Sequence, residues 1–576
     1  MTILTRPART PDLILHGGHV RTMNVAGDRS EAVAIAGDRV AALGSNRDIL
    51  ALRGPRTRVV DLRGRTVLPG FTDAHSHPIS GGLRHVECDL DRFSRAEDHV
   101  AAVARYAAAN PGKAWIVGDG WSMETFPGGL PRREALDAVV ADRPVILWNR
   151  DGHGAWVNSR ALELAGITAS TPDPAQGRIE RDPDGTPNGM LQESAIDLVL
   201  AFVPPHDATT LEGAIVVAQA ELHALGITGW QDANVHPERL AAYRAVAGRG
   251  QLTARVECAL QVSDRDAWGG TEGMSAIRDA VTATAREAGS GAAPGPGRLS
   301  ANAVKHFVDG ILENRTGALT TPYLDAAGAP NGGIGILNHE PATLRRLAVE
   351  LDAAGFQLHY HAIGDLGVRE ALDAIEAARL ANGPGDRRHH IAHIQLIHPA
   401  DVPRFAALDA VANAQPLWAV HEAQMDELTI PILGPERTTW QYPFGSLLRA
   451  GATLAFGSDW TVSTADPFPQ IEVAVRRTWP GNRDTDPFLP WERITLDEAL
   501  RAATVGSAFV NHQDDAGWLG VGRLADLAIV DRDIDAPAAA FIGDARIAGT
   551  ILGGVFVFED ASLETGGHRT GPRDWM

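Results

Sequence analysis

The stretch TVLPGFTDAHSHP, residues 66–78, decides how the chain is read. It reads as an apolar strand, yet it sets His75 and His77 one residue apart, just after Asp73. On a strand, residues i and i+2 point to the same face, so both imidazoles project into one space. In a closed core, both rings would need partners for their nitrogens. At the open end of a barrel they make half a metal site.

Outward from this stretch, strand-like runs recur: GITGWQDAN, TARVECAL, NAVKHFVDG, FQLHYHAIGD, HHIAHIQ, DAVANAQP and TLAFGSDW. Helical patterns such as PATLRRLAVELDAAG and GVREALDAIEAARLANG separate most of them. With TVLPGFTDAH this makes eight strands in βα alternation, the pattern of a TIM (β/α)8 barrel, whose chemistry lies at the C-terminal ends of its strands. A doubly wound sheet is the second choice.

Residues 12–70 and the end of the chain have another texture. Short alternating runs broken by Gly-Asp and Arg-Gly suggest hairpins. Residues 1–70 and 513–576 are therefore expected to form one composite β-sandwich, with the barrel over 71–512. About 145 residues separate the first strand from GITGWQDAN, far more than a βα connection needs. A large insertion or lid over about 79–225 is expected, with strands in KAWIVGDGW and RPVILWNRDGHG and a hairpin in STPDPAQGRIERDPDGTPNG. GSGAAPGPGR, residues 289–298, reads as a flexible connection, and the tail GGHRTGPRDWM as poorly packed.

Composition narrows the partners. The net charge is −20, which disfavours nucleic acid and anionic membranes and leaves a small-molecule substrate. A homo-oligomer is compatible with the sequence. Only Cys88 and Cys258 are present, which excludes a disulfide scaffold and a thiolate zinc cluster. No signal peptide or membrane span is read, so a cytoplasmic location is expected.

The expected strand ends collect six polar residues: His75 and His77, Lys305, His361, His393 and Asp459. Singly, each has an ordinary explanation, Lys305 as a salt-bridged lysine and Asp459 as a helix cap. Accident explains all six at strand ends poorly. Imidazole and carboxylate suit zinc and similar divalent ions, and an open catalytic site needs such a set. Asp151 and His153, in NRDGHGAW, either reach the site from the insertion or serve a turn. Trp121, Trp418 and Trp460 are candidate pocket walls, with a core role equally open for Trp418.

LPGFTDAHSHP, KHFVDG, HAIGD, IAHIQ and FGSDW together resemble the amidohydrolase superfamily, and within it the amidohydrolase-3 branch of N-substituted formamide deformylases. The resemblance spans nearly the whole chain, including WNRDGHGAWVNSRAL and GMLQESA. It implies that His75 and His77 hold the more buried ion. It also implies that Lys305 is carbamylated by carbon dioxide and bridges two ions, that His361 and His393 hold the second, and that Asp459 touches both metal and hydroxide. Relatives follow the lysine motif with small residues, where this chain has GILENRTGAL; Glu313 and Asn314 thus stand near the site, with Arg315 beside them.

The expected function is hydrolysis of a carbon–nitrogen bond, an amide, by a metal-bound hydroxide, with one or two divalent ions, zinc foremost. A lysine ammonium, with a pKa of about 10.4, ligates metal badly, whereas its carbamate is an anionic bridge. Metal lowers the pKa of bound water from 15.7 toward about 7. Asp459 is expected to take a proton as base and return it to the leaving nitrogen as acid. A lactone or ester hydrolase with the same centre is the alternative. A non-catalytic scaffold would require lost ligands, and the bridging lysine argues against a deaminase. The absence of arginines clustered at the strand ends points to a neutral, apolar or aromatic substrate, with Arg84, Arg150 and Arg315 as the residues that would overturn this.

Overall fold

The computed structural model describes residues 9–289, 298–536 and 541–565. The connection expected at 289–298 lies almost wholly outside the described residues, as does the C-terminal tail. Among the described residues, no helix is long and apolar enough to cross a membrane.

Eight parallel strands form the central sheet: β1 Phe71–Ser76, β2 Ile227–Val235, β3 Arg255–Gln261, β4 Arg298–Phe307, β5 Gln357–Ala362, β6 His390–His393, β7 Val411–Ala414 and β8 Leu454–Phe456. They follow one another in chain order around the sheet, as a (β/α)8 barrel requires. The first and last strands meet through hydrogen bonds past their ends. Asp459 N–H donates to His75 O at 2.8 Å, and Ser458 N–H donates to Asp73 Oδ1 at 2.9 Å. Burial pushes the Asp73 carboxyl up to about 6, against these bonds.

TVLPGFTDAH is not one strand. Thr66–Pro69 pairs with Leu527–Val530 in a terminal sheet, and the barrel strand starts at Phe71. The break falls at Gly70, where a Cβ would stand 2.4 Å from Thr228 Cγ2 on β2. Only glycine lets the chain cross that closely from one sheet to the other.

Both chain ends contribute to that six-stranded sheet, and a four-stranded sheet from residues 13–61 packs on it. Leu15 and Val33 of the smaller sheet share a core with Val67, Leu527 and Ile551 of the larger. After β1 the insertion builds a third sheet of six strands between Cys88 and Glu193. Its outer hairpin pairs Gly177–Arg181 with Pro187–Glu193 around the Asp-Gly turn.

The helices show why the alternation was readable. Pro341–Ala353 starts with proline, whose missing N–H costs nothing there, and buries Leu344, Leu347, Ala348 and Leu351 along one face. The barrel interior departs from the usual branched apolar filling. Lys305 on β4 is in register with His359 on β5, and His359 with His390 on β6, and all three are fully buried. Buried polar groups on this scale need partners or a ligand.

Candidate metal centre

At the C-terminal end of the barrel, donor atoms of His75, His393 and Asp459 lie within 4.8 Å of one another. Asp459 Oδ1 is 3.3 Å from His75 Nε2 and 3.0 Å from His77 Nε2, and its Oδ2 is 3.7 Å from His393 Nδ1. His361 stands one ring away, with its centroid 4.4 Å from that of His393. Five of the six residues expected at the mouth are therefore neighbours. The sixth, Lys305, lies on β4 close enough for its charge to act on His75, His361 and His393.

Backbone geometry aims two of these side chains. His393 has φ of 76° and Asp459 has φ of 53°, left-handed values that non-glycine residues seldom adopt. Strain of this kind is kept where surrounding structure holds it. Here Gln415 Oε1 accepts from His393 N–H at 2.8 Å, and His75 O holds Asp459 N–H.

The rings are oriented by what lies behind them. His359 Nε2 is 2.8 Å from His75 Nδ1, which leaves His75 Nε2 facing Asp459. His361 Nε2 donates to Gly310 O at 3.3 Å and leaves Nδ1 as the lone pair of the neutral ring. Asp309, 3.8 Å from His361 Nε2, accepts backbone N–H groups from Ala318, Ile363 and Gly364; burial still pushes its carboxyl up to about 7.

Burial holds His75, His361 and His393 well below the ordinary histidine range, so they are neutral and able to ligate. Burial alone would raise Asp459, but His75, His77 and His393 outweigh it and hold the carboxylate well below its usual range. Burial pulls Lys305 down to about 7 against the opposing field of Asp459. Its Nζ lies 4.7 Å from the Phe307 ring centroid and, with His393 Nδ1, has no hydrogen-bond partner among the described residues. Neutral imidazoles, one ionised carboxylate and orphaned buried nitrogens form a donor set that fits a divalent ion.

The secondary candidates divide. The Trp418 ring stacks on His393 at 5.6 Å and 15°, half-buried at the mouth. Trp460 is also half-buried; it lies over Gly81, where a Cβ would meet its ring at 2.4 Å. Trp121 is not a pocket wall. It is fully buried in the insertion's core against Phe126 and Trp156, and its Nε1 donates to Leu147 O at 2.8 Å. Asp151 Oδ1 accepts the His153 N–H at 2.9 Å, which closes a turn. Glu313 accepts a hydrogen bond from the Thr429 hydroxyl, and Arg315 is exposed. Arg84 is tied to Asp119 at 2.7 Å and Asp91 at 3.2 Å.

His153 does reach the barrel, its ring 4.9 Å from that of His361. Burial pulls its pKa down, but Glu193, 3.0 Å from Nδ1, outweighs this and pushes it up to about 9. Sequence reading did not single out Glu193. The available signal was strand pairing, since Gly154 opposes Gln192 and so brings the preceding His153 beside Glu193.

A (β/α)8 barrel with this donor set at its mouth defines a metal-dependent hydrolase. The chain belongs to the amidohydrolase family, whose model matches residues 58–558. It is 29% identical over 555 residues to YtcJ of Bacillus subtilis (strain 168), covering 95% of this chain and 99% of that protein. It is 26% identical over 561 residues to the N-substituted formamide deformylase of Arthrobacter pascens, covering 95% and 98%. Among solved structures it resembles a metal-dependent hydrolase from Pyrococcus furiosus, with a TM-score of 0.67 and 27% identity over 90% of this chain and 99% of that one.

Proposed function

We propose that this protein hydrolyses the amide bond of a small neutral molecule carrying an apolar or aromatic substituent. His75, His77, Lys305, His361, His393 and Asp459 would hold one or two divalent ions, with zinc the best match to imidazole and carboxylate donors. The observation that carries this reading is the convergence of His75, His393 and Asp459 donors within 4.8 Å at the barrel mouth. The deformylase named among the relatives acts, by its name, on N-substituted formamides, which supports the amide class.

A bound divalent ion polarises a carbonyl and makes water more acidic. The protein's own residues do the rest. Asp459, kept ionised, takes the proton of the attacking water and returns it to the departing nitrogen. An amine leaves poorly without that proton, so one carboxylate serves as base and then as acid. Lys305, pulled to about 7, presents a neutral amine near neutral pH. Carbamylation of that amine by carbon dioxide, with its proton lost to solvent, would supply an anionic oxygen donor in place of a poorly ligating ammonium. Trp418, stacked on His393, offers an apolar face to the substituent.

The test is turnover by zinc-loaded protein of N-formyl, N-acetyl and N-acyl-amino-acid compounds beside matched esters and lactones. N-benzylformamide is expected to be cleaved faster than an N-acyl-amino acid, and a chelator is expected to stop the reaction. Preference for lactones, or full activity in metal-free protein, would refute the reading.

A further inference from the structure

A cavity of about 320 Å³ lies at the end of the barrel opposite the ion-holding residues. Its walls come from residues that precede barrel strands: Asp352 before β5, Arg387 before β6, Asp409 before β7 and Thr453 before β8. His361, His393 and Asp459 stand at or beyond the other ends of β5, β6 and β8. The cavity is therefore separate from the mouth. Helices Asp365–Asn382 and Val402–Ala407 flank it and lend it the buried side chains of Ile375 and Phe405. Small-molecule sites run from about 300 to 1,000 Å³, so its volume suits a small ligand.

Three arginines and three aspartates line this cavity, and their hydrogen bonds are unevenly committed. Arg388 is fully engaged. Its Nε and Nη2 hold Asp386 at 2.8 Å each, and its Nη1 donates to Asp514 Oδ1 at 2.6 Å and to Phe509 O at 2.8 Å. Asp352 is engaged as well. Its Oδ2 accepts from Asn382 at 2.7 Å, and its Oδ1 lies 3.1 Å from His389 Nε2, whose other ring nitrogen accepts from Leu358 N–H at 2.9 Å. The other two arginines are not. Arg387 Nε donates to Asp352 O at 3.3 Å and lies 3.2 Å from Asp352 Oδ1, but Nη1 and Nη2 make no hydrogen bond among the described residues. Its guanidinium lies against Gly385 in the cavity wall, where a Cβ would stand 3.7 Å from Nη1. Arg379 Nη1 donates to Asp409 Oδ2 at 2.5 Å, and its Nε and Nη2 are likewise unengaged among the described residues. The open capacity is thus mainly that of cationic donors, set against Asp409, whose side chain is 78% exposed at the rim.

We propose that this cavity is a second binding site and that it takes a small carboxylate with an aromatic or branched apolar body. The carboxylate accepts from the open guanidinium N–H groups of Arg387 and Arg379, whose planar forks match its two oxygens. The body covers Ile375, Phe405 and Leu408, and removing that apolar surface from water favours such a ligand over inorganic phosphate. The face is the one that serves stability rather than chemistry in barrels of this kind. Arg387 reaches Asp352, Asp352 holds His389, and His389 accepts from Leu358 N–H near the start of β5, so an occupant braces the root of the strand that carries His361. A ligand that binds only the folded chain raises its stability by mass action. Binding here is independent of the reaction at the mouth.

The experiment titrates benzoate calorimetrically into zinc-loaded wild type, Arg379→Gln, Arg387→Gln and the double variant, and melts each protein with and without benzoate. Benzyl alcohol and inorganic phosphate are titrated into wild type beside it. Benzoate is expected to bind wild type with a Kd below about 1 mM and to raise its Tm. Benzyl alcohol, which keeps the ring and lacks the charge, and phosphate, which keeps the charge and lacks the ring, are each expected to bind at least about tenfold more weakly. Each single substitution is expected to weaken benzoate about tenfold, the scale of one charge-assisted partner, and the double variant to weaken it further. Arg379 is paired only with the exposed Asp409, so Arg379→Gln should melt as wild type does and carries the test where Arg387→Gln loosens the fold. Unchanged benzoate affinity in either arginine variant overturns the proposal, because the benzoate would then sit elsewhere, on the zinc at the mouth for one. Benzyl alcohol bound as tightly as benzoate overturns the anion, and phosphate bound more tightly overturns the carboxylate class. No benzoate binding to wild type up to about 10 mM would leave the cavity a water-filled cleft and overturn the site itself.

Discussion

Replacing Asp459 by asparagine separates chemistry from architecture better than any other single change at the mouth. The residue sits at φ of 53°, and its N–H is held by His75 O at 2.8 Å. Asparagine is among the few residues that tolerate this left-handed conformation, so the backbone and the seam beside it should survive. What is lost is a negative charge 3.0–3.7 Å from His77, His75 and His393, together with a proton acceptor. General-base catalysis contributes about 10²–10⁴ in rate, or about 2.7–5.4 kcal/mol at 1.36 kcal/mol per decade. The expected result is a kcat lower by at least about a hundredfold, with a melting temperature close to wild type. Because the three histidines hold this carboxylate well below its usual range, the loss should extend across the whole neutral pH range rather than shift one limb of the profile. The assay is kcat and KM against pH on the best amide, with zinc content and thermal melting measured on the same samples. A near-normal rate and profile in fully zinc-loaded Asp459→Asn would refute the assignment of the base. A leucine control at 459 adds backbone strain, so it should lower the melting temperature where asparagine does not.

Lys305→Ala should lose metal and activity, and a short carboxylic acid such as propionate should restore part of both by standing in for the carbamate; full metal and rate without any additive would show an ordinary lysine. Prolonged chelation followed by buffer exchange should abolish turnover, and added zinc should restore it, as read by elemental analysis and rate. His99, buried in the insertion beside Phe126 with no hydrogen-bond partner among the described residues, is pulled by burial down to about 4. Because the unfolded chain then binds a proton more readily, stability should fall as pH drops from about 6.5 toward 4, and His99→Phe should flatten that fall in urea melts. Equal pH dependence in both proteins would show that His99 carries no part of it.

The βα alternation, the strand-end residues and the anomalous gap after the first strand could all be read from the chain. Each depends on local periodicity, and periodicity is written in sequence order. The paired histidines at 75 and 77 could be read because a strand forces residues two apart onto one face. The break at Gly70 could not. Its cause is the closeness of Thr228, more than 150 residues away. Trp121 was misplaced for a similar reason: an aromatic on a strand of the insertion suits a pocket wall or a core, and only packing against Phe126 and Trp156 decides between them.

Sequence alone determined the chemistry available, since imidazoles, one carboxylate and one lysine at strand ends, without thiolates, leave few uses other than holding hard or borderline cations. Tertiary structure decided which of those groups are neutral, which nitrogen of each ring is free, and which neighbours hold it. His359 behind His75, and Glu193 behind His153, are separated from their partners by 284 and 40 residues. Such pairs arise from strand register around a closed barrel and within the insertion's sheet. Burial then sets their charge, and burial is a property of the folded whole rather than of any stretch of the chain.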